Sequence, residues 1–347
     1  MRVLVTGGAG FVGSHTCVAL LEAGHEVAVV DSLENSSEAA IDGVARATGC
    51  HPHFKVADCR DTKRLEQIFK EVQPAVVLHF AGLKSVAESM ADPLRYYQHN
   101  IGTTAVLLAV MQRCEVFQIV FSSSAAVYGA PHELPVAEEA PVQPTNPYGT
   151  TKLLIEQMIR DITYADPRWS AVVLRYFNPV GAHPSGLMGE DPEGMPANLM
   201  PYLLQVAVGR RASLPVYGID YPTHDGTALR DYIHVMDLAE GHLAAMGYLQ
   251  DAPKGTHTFN LGTGRATSVL ELLRAMRHVT GVKLPYEIRG RRPGDVAELW
   301  ANPEKAEREL GWRATRTLED MCRDGWAWQS QNPAGYSYRL AGYNPAD

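Results

Sequence analysis

Five short runs constrain the fold more than any other feature: RVLVT, EVAVVD, AVVLHFAG, FQIVFSSS and SAVVLRYFN. Each is rich in Val, Ile and Leu and nearly continuous in hydrophobicity. A strand wetted on one face alternates apolar with polar residues; a strand covered on both faces does not. Between the runs lie Ser14–Ala23, Thr62–Glu71 and Gly102–Cys114, whose apolar residues follow helical spacing. Strands alternating with helices specify an α/β fold, a doubly wound parallel sheet. The chain has 347 residues, 46% of them hydrophobic, enough for one large or two ordinary domains and too apolar for a disordered chain. After Asn178 the texture changes. NPVGAHPSGLMGEDPEGMPANLMP is dense in Pro and Gly and too long for an ordinary connection. Such segments in compact enzymes are binding loops or lids.

Charge removes some functions. The net charge is −8 and no basic block stands out, which gives a nucleic-acid role little support. Local arginines can still hold an anion against an acidic background. The start MRVLVTGG does not have the pattern of a secretory leader, and no apolar run has membrane-spanning length. Cys17, Cys50, Cys59, Cys114 and Cys322 are odd in number and scattered. They read as reduced thiols, which suggests a cytoplasmic protein. His51 and His53 lack a distant Cys or His pair, so no metal site is expected.

VTGGAGFVGSH follows the first strand and opens a helix. Gly7, Gly10 and Gly13 give the spacing G-x-x-G-x-x-G. Gly7 permits a tight turn, Gly10 lets backbone approach a diphosphate, and Gly13 lets helix and strand pack closely. The second strand ends at Asp31, where an acid can hold an adenosine ribose. Ser32 and Leu33 follow, and neither supplies a cation for a 2′-phosphate. The expected cofactor is therefore NAD. Residues 1–178 read as the NAD-binding domain. HTFNLG, around Phe259, reads as a strand by which the chain returns to it at about 230–262, and residues 179–347 read mainly as a smaller α/β substrate domain.

NPYGTTK places Tyr148 and Lys152 four residues apart, on one helix face. A phenol titrates near ~10, too high for a base at neutral pH. A lysine cation and the positive charge of NAD⁺ would favour the phenolate. Ser124, at the C-terminal end of a strand, lies where open α/β sheets bind ligands. Ser122 and Ser123 are expected to satisfy backbone groups at the strand end.

These motifs together resemble the extended short-chain dehydrogenase/reductase family. RVLVTGG, HFAGLKSV, FSSSAAVYG, LRYFNPVGAHPSG, NLMPY, QVAVGRR and RDYIHVMDLA are similar to its UDP-sugar 4-epimerases. The resemblance implies interconversion of UDP-glucose and UDP-galactose by NAD-dependent oxidation at C4 and reduction on the opposite face. It gives Ser124, Tyr148 and Lys152 catalytic roles. It gives Phe11, Val12, Asp31, Asn35, Ser36, Asp58, Cys59, Phe80, Ala81, Lys84, His99 and Phe177 to the cofactor. Lys84, Ser124, Tyr148, Asn178, Asn198, Arg230, Arg292, Asp295 and Leu299 fall to the UDP-sugar, and Tyr217 to the uracil pocket. It also implies a homodimer, with the helices near Leu94 and Tyr148 at the interface.

Other readings stay open. Phe80 and Phe177 suit a core; Asn198 suits a helix cap; Arg230 and Arg292 suit surface ion pairs. A sugar-nucleotide 4,6-dehydratase or decarboxylase of the same family is the nearest alternative. Related dehydratases carry an acid where this chain has Ala125 and Ala126. A non-catalytic NAD-binding regulator is the alternative of another class. Three departures bear on the site. Ala126 stands where bacterial relatives commonly have Thr. His99 stands where relatives have Asn; either Asn100 beside it compensates or His99 donates instead. Leu299 stands where narrow-specificity relatives have Tyr, which opens the question of N-acetylated UDP-sugars.

Overall fold

The computed structural model describes residues 1–292 and 294–336. Six parallel strands come first: β1 (Arg2–Thr6), β2 (Glu26–Asp31), β3 (His53–Val56), β4 (Val76–His79), β5 (Gln118–Ser124) and β6 (Ser170–Tyr176). Four strands then lie elsewhere: β7 (Asn178–Val180), β8 (Leu214–Tyr217), β9 (Leu229–Arg230) and β10 (Tyr232–His234). The chain returns to the first sheet as β11 (Gly255–Leu261), parallel to β6. The seven-stranded order is β11-β6-β5-β4-β1-β2-β3. Strand order reverses between β1 and β4, and a crevice opens there at the carboxyl ends of the strands.

Continuous hydrophobicity has the expected cause. Val3 and Val5 of β1 pack on one face with the helices Phe11–Glu22 and Val235–Asp251. Leu4 packs on the other face with Thr62–Val72, Gly102–Arg113 and Pro147–Ala165. The same alternation holds at Val76, Val77 and Leu78, all fully buried. β3 is the strand the hydrophobic pattern does not announce. It lies at the sheet edge, and neither His53 nor Val56 at its ends is buried.

Beyond Asn178 the chain builds small sheets. β7 pairs with β10 and β8 with β13 (Tyr286–Arg289); β9 lies between β12 (Thr267–Ser268) and β14 (Glu298–Leu299). A separate core of Val180, Leu203, Leu214, Leu272 and Met321 holds this region together. The chain's last stretch, from Asn332, would read as a surface extension, yet Asn332 and Tyr336 are buried. The Tyr336 hydroxyl donates to Gly189 O at 3.2 Å. Residues from 337 onward lie outside the described residues.

Candidate active site

A cleft of about 710 Å³ runs along the carboxyl ends of the central strands. That lies within the range of small-molecule and cofactor clefts. Its first wall is the glycine loop. Gly7 has φ +72°, and a Cβ there would stand 2.6 Å from Ala81 N. A Cβ at Gly13 would stand 2.3 Å from Gly7 O. Only hydrogen fits at either position, so the loop stays flat against β4 and the helix. Gly10 caps Phe11–Glu22 without a side-chain bond, which leaves the helix N-terminus facing the cleft with its N–H groups.

Asp31 knits this end together. Its Oδ2 accepts from Ala9 N at 3.0 Å, and its Oδ1 from Leu33 N at 3.0 Å and Ser36 Oγ at 2.8 Å. Val12, Asn35, Asp58, Cys59, Phe80 and Lys84 line the same wall. Arg60 grips Asp58 through both carboxylate oxygens and holds it below the usual carboxylate range. Burial pushes the Cys59 thiol up to about 12, so it stays protonated. Lys84 Nζ donates to Glu190 Oε1 at 2.8 Å across the cleft. The flat glycine loop, free helix N–H groups and acids at the ends of β2 and β3 fit a dinucleotide with a free 2′-hydroxyl.

The middle of the cleft is lined from β5 and the helix Pro147–Ala165. Asn146 Oδ1 accepts from Gly149 N at 2.9 Å, capping the helix whose first turn holds Tyr148. The Ser124 hydroxyl stands near the Tyr148 phenol and acts to lower its pKa, and Ser124 Oγ accepts from Ala126 N at 3.2 Å. Lys152 is buried; its Nζ donates to Ser122 O at 2.7 Å and lies 5.9 Å from the Tyr148 ring centroid. Desolvation lowers Lys152 to about 8. Desolvation also raises Tyr148, against the opposing influence of the Ser124 hydroxyl. Protein alone therefore favours the neutral phenol, and phenolate formation needs the added positive charge of an oxidised nicotinamide.

The neighbouring serines differ from expectation. Ser122 Oγ bonds the Tyr176 hydroxyl, and Ser123 Oγ donates to Glu156 Oε1 at 2.6 Å. They serve side chains, while Ser124 serves the backbone N–H. Glu156 is fully buried and takes the Arg175 guanidinium as a two-pronged partner, at 3.0 and 2.7 Å. That pair ties the Tyr148 helix to β6.

At the far end Asn178, Asn198, Arg230, Arg292, Asp295 and Leu299 line the cleft with Ser124, Tyr148 and Phe177. Asn198 stands at a helix start but makes no side-chain cap bond. Arg230 donates to Leu229 O at 2.8 Å and has no carboxylate partner among the described residues. Arg292 pairs with Asp295 at 3.0 Å and stacks 4.8 Å over the Tyr217 ring. Tyr217 is therefore a support beneath Arg292 and does not line the cleft itself. Phe177 belongs both to the cleft and to a small core with Val127 and Leu299. Asn100 does not stand in for His99: it is buried, donating to Leu83 O and Thr151 Oγ1 and accepting from Leu83 N.

Residues 3–262 match the model of the NAD dependent epimerase/dehydratase family. The chain belongs to this family. Among its relatives, the UDP-glucose 4-epimerase of Bacillus subtilis is 53% identical over 97% of this chain and 99% of its own length. An Arabidopsis thaliana UDP-glucose 4-epimerase is 54% identical over 96% of this chain and 97% of its own. The crystal structure of UDP-glucose 4-epimerase from Bifidobacterium longum in complex with NAD⁺ and UDP superimposes with TM-score 0.94 at 51% identity, covering 96% of this chain and 100% of that one. The UDP-Glc/GlcNAc 4-epimerase of Campylobacter jejuni gives TM-score 0.82 at 36% identity, covering 95% and 99%.

For a member of the epimerase/dehydratase family, several wall residues carry no motif. Glu34, Thr103, Tyr176 and Glu190 all line the cleft. Glu190 lies in the Pro- and Gly-rich stretch whose length marks it as a binding loop. Tyr176 adjoins Phe177 but reads as an ordinary strand residue. Glu34 becomes recognisable only once Tyr97–Ile101 brings His99 to it, at 3.0 Å.

Proposed function

We propose that this chain interconverts UDP-glucose and UDP-galactose, with Tyr148 as the general base. The observation that carries the reading is one cleft holding a Ser124–Tyr148–Lys152 group at its centre and, at its far end, Arg230 with no carboxylate partner among the described residues. NAD supplies the chemistry, taking hydride from sugar C4 and returning it to the other face. Tyr148 takes the 4-hydroxyl proton, and Ser124 hydrogen-bonds that oxygen and relays the proton. Lys152 holds the nicotinamide ribose and biases Tyr148 toward its charged form. Arg230 and Arg292 hold the diphosphate, Asn178, Asn198 and Asp295 hold the rest of the nucleotide and sugar, and Tyr217 steadies Arg292. The cofactor is cradled by Gly7 to Gly13, Asp31, Asn35, Ser36, Asp58, Phe80, Ala81, Lys84 and Phe177. A firmly held UDP and a loosely held hexose let the 4-keto sugar turn over.

Dehydration needs a further acid and base, and Ala125 and Ala126 offer none. A regulator would have no use for the three catalytic groups together. On this reading residues 1–178, with 230–262, bind NAD, and most of 179–347 binds the UDP-sugar. Met90 and Leu94 are 54% and 63% exposed and Leu154 is 42% exposed, which supports a homodimer across these helices. Five free cysteines fit a cytoplasmic enzyme. No helix among the described residues is long and apolar enough to cross a membrane. Incubation with UDP-galactose, with UDP-glucose as the readout, tests the function; no interconversion with NAD present refutes it. Leu299 in the cleft wall supports a second activity on N-acetylated UDP-sugars. A rate comparison between UDP-galactose and UDP-N-acetylgalactosamine tests it, and undetectable acetylated turnover counts against it.

A further inference from the structure

Residues 183–191 of the Pro- and Gly-rich stretch run from the main core to the cleft wall as a strap. His183 N donates to Met188 O at 3.2 Å and Gly186 N to His183 O at 2.9 Å, which closes the first turn. Met188 is fully buried in the core beneath. Gly189 lies flat on the helix Leu318–Gln331: a Cβ there would stand 2.2 Å from Trp328 Cδ1. Tyr336 grips the same residues. Its hydroxyl accepts from Gly189 N and donates to Gly189 O, each at 3.2 Å, and its N–H donates to Asp191 Oδ2 at 2.7 Å. Tyr336 is itself buried, with its ring centroid 4.6 Å from that of Trp328.

Between these fixed points, Glu190 is the one residue of 183–191 that lines the cleft. Its side chain is 8% exposed, and its hydrogen-bond partner is Lys84 Nζ at 2.8 Å. Lys84 belongs to the opposite wall, beyond β4, and its side chain is 47% exposed. A carboxylate so deeply placed is costly without a cation, so the strap has a preferred seat with Glu190 on Lys84. Both residues also line a recess of about 30 Å³ with Gly10, Phe11, Ser14 and Tyr336. The ion pair therefore crosses the cleft at the start of the helix Phe11–Glu22, where N–H groups face the space. A lysine has three N–H donors and Glu190 takes one, so the pair leaves Lys84 able to face a ligand as well.

We propose that residues 183–191 close the diphosphate end of the cofactor cleft, with the Lys84–Glu190 ion pair as the latch and Tyr336 as the positioning residue that presents Glu190 to Lys84. The proposal rests on the cofactor reading above and adds a gate to it. The diphosphate of the dinucleotide would lie against the helix start, beneath the latch, and must pass it to leave. Among the described residues, Lys84–Glu190 is the one ion pair that joins residues 183–191 to the rest of the chain. Release therefore has two controls in series. Loss of the latch frees Glu190, and loss of the anchor leaves the latch with nothing to hold.

The test is release of labelled NAD from the full-length holoenzyme, chased with excess unlabelled NAD in the absence of UDP-sugar. Glu190→Leu is expected to release NAD roughly 10- to 100-fold faster than the wild type, the size of a lost charge-assisted bond. Glu190→Gln, which keeps an acceptor and loses the charge, falls between the two. In a Lys84→Met background Glu190→Leu changes release no further, because the latch is already gone. Tyr336→Phe keeps the ring beside Trp328. It speeds release roughly 3- to 10-fold in the wild type and not at all in the Glu190→Leu chain. A merely structural role for either residue gives effects that add in every background. Equal release by wild type and Glu190→Leu overturns the proposal, as does an effect of Glu190→Leu that persists in Lys84→Met. Acceleration by Tyr336→Phe that adds to that of Glu190→Leu overturns the anchor. A wild type that retains no NAD overturns the cofactor reading instead.

Discussion

Burial acts on Tyr148 and Lys152 in one sense. Burial raises the phenol and lowers the ammonium to about 8, so each is pushed toward its neutral form. A further positive charge at the same spot would favour the phenolate. A Lys152→Met chain should therefore titrate its phenolate absorbance at higher pH than the wild type in the NAD-bound state; an unshifted titration would remove Lys152 from this role. Arg230 presents the complementary case, a half-buried cation with no acid partner among the described residues. Arg230→Leu should raise KM for UDP-galactose by roughly 10- to 100-fold while kcat changes little, the size of a charge-assisted bond made alike in ground and transition states. An unchanged KM would place the diphosphate elsewhere. Residue identities of this kind were readable in FSSS and NPYGTTK, because their spacing is local. The partners of Ser122 and Ser123 were not. Tyr176 and Glu156 lie 54 and 33 residues away, and only the strand order brings them near.

The helix Pro147–Ala165 carries the Tyr148 phenol, and its approach to the turn after β5 sets the Ser124–Tyr148 spacing. Gly149 makes that approach possible: a Cβ there would stand 2.7 Å from Ala126 O and 3.0 Å from Pro144 Cβ. Gly149→Ala should cost ~1–3 kcal/mol in urea denaturation and lower turnover as well. Gly247 is the control, since it lies in the helix Val235–Asp251 with nothing within 4 Å of its would-be Cβ. Gly247→Ala should gain ~0.5–1 kcal/mol and leave turnover alone. Equal effects at the two glycines would contradict the packing argument. Long elements buried on both faces declare themselves in sequence; β1, β2, β5 and β6 do so because all but their end residues are buried. β3 does not, because an edge strand of four residues has few core contacts to satisfy. The π-turn Tyr97–Ile101, which carries His99, leaves no pattern either, since its extra residue is absorbed within a continuous helical run.

The whole molecule buries histidines that cannot be charged where they sit. Desolvation lowers His15 and His79 to about 3 and His242 to about 4. His79 Nδ1 and Nε2 lie between Thr6 and Thr104 hydroxyls, and His242 packs on Phe80 and Tyr176. The unfolded chain binds protons at these sites from about pH 6.5 downward, whereas the folded chain does not until about pH 3 to 4. Stability is therefore present above pH 6.5 and lost as pH falls, by up to ~1.4 kcal/mol per histidine per pH unit. Urea midpoints at pH 7.5 and 5.5 should show that loss; equal midpoints would contradict it. At this scale the doubly wound sheet was legible from alternation alone, and so was the return of the chain near Phe259. The small sheets beyond Asn178 were not, because strands of two to four residues have too few positions to show a period. Activity belongs to the whole assembly of cleft, cofactor and substrate, and it is there that the central assignment is exposed. Epimerisation of UDP-galactose by Tyr148→Phe should fall by roughly 10²- to 10⁴-fold while NAD stays bound. Wild-type turnover in that variant would show that Tyr148 is not the base.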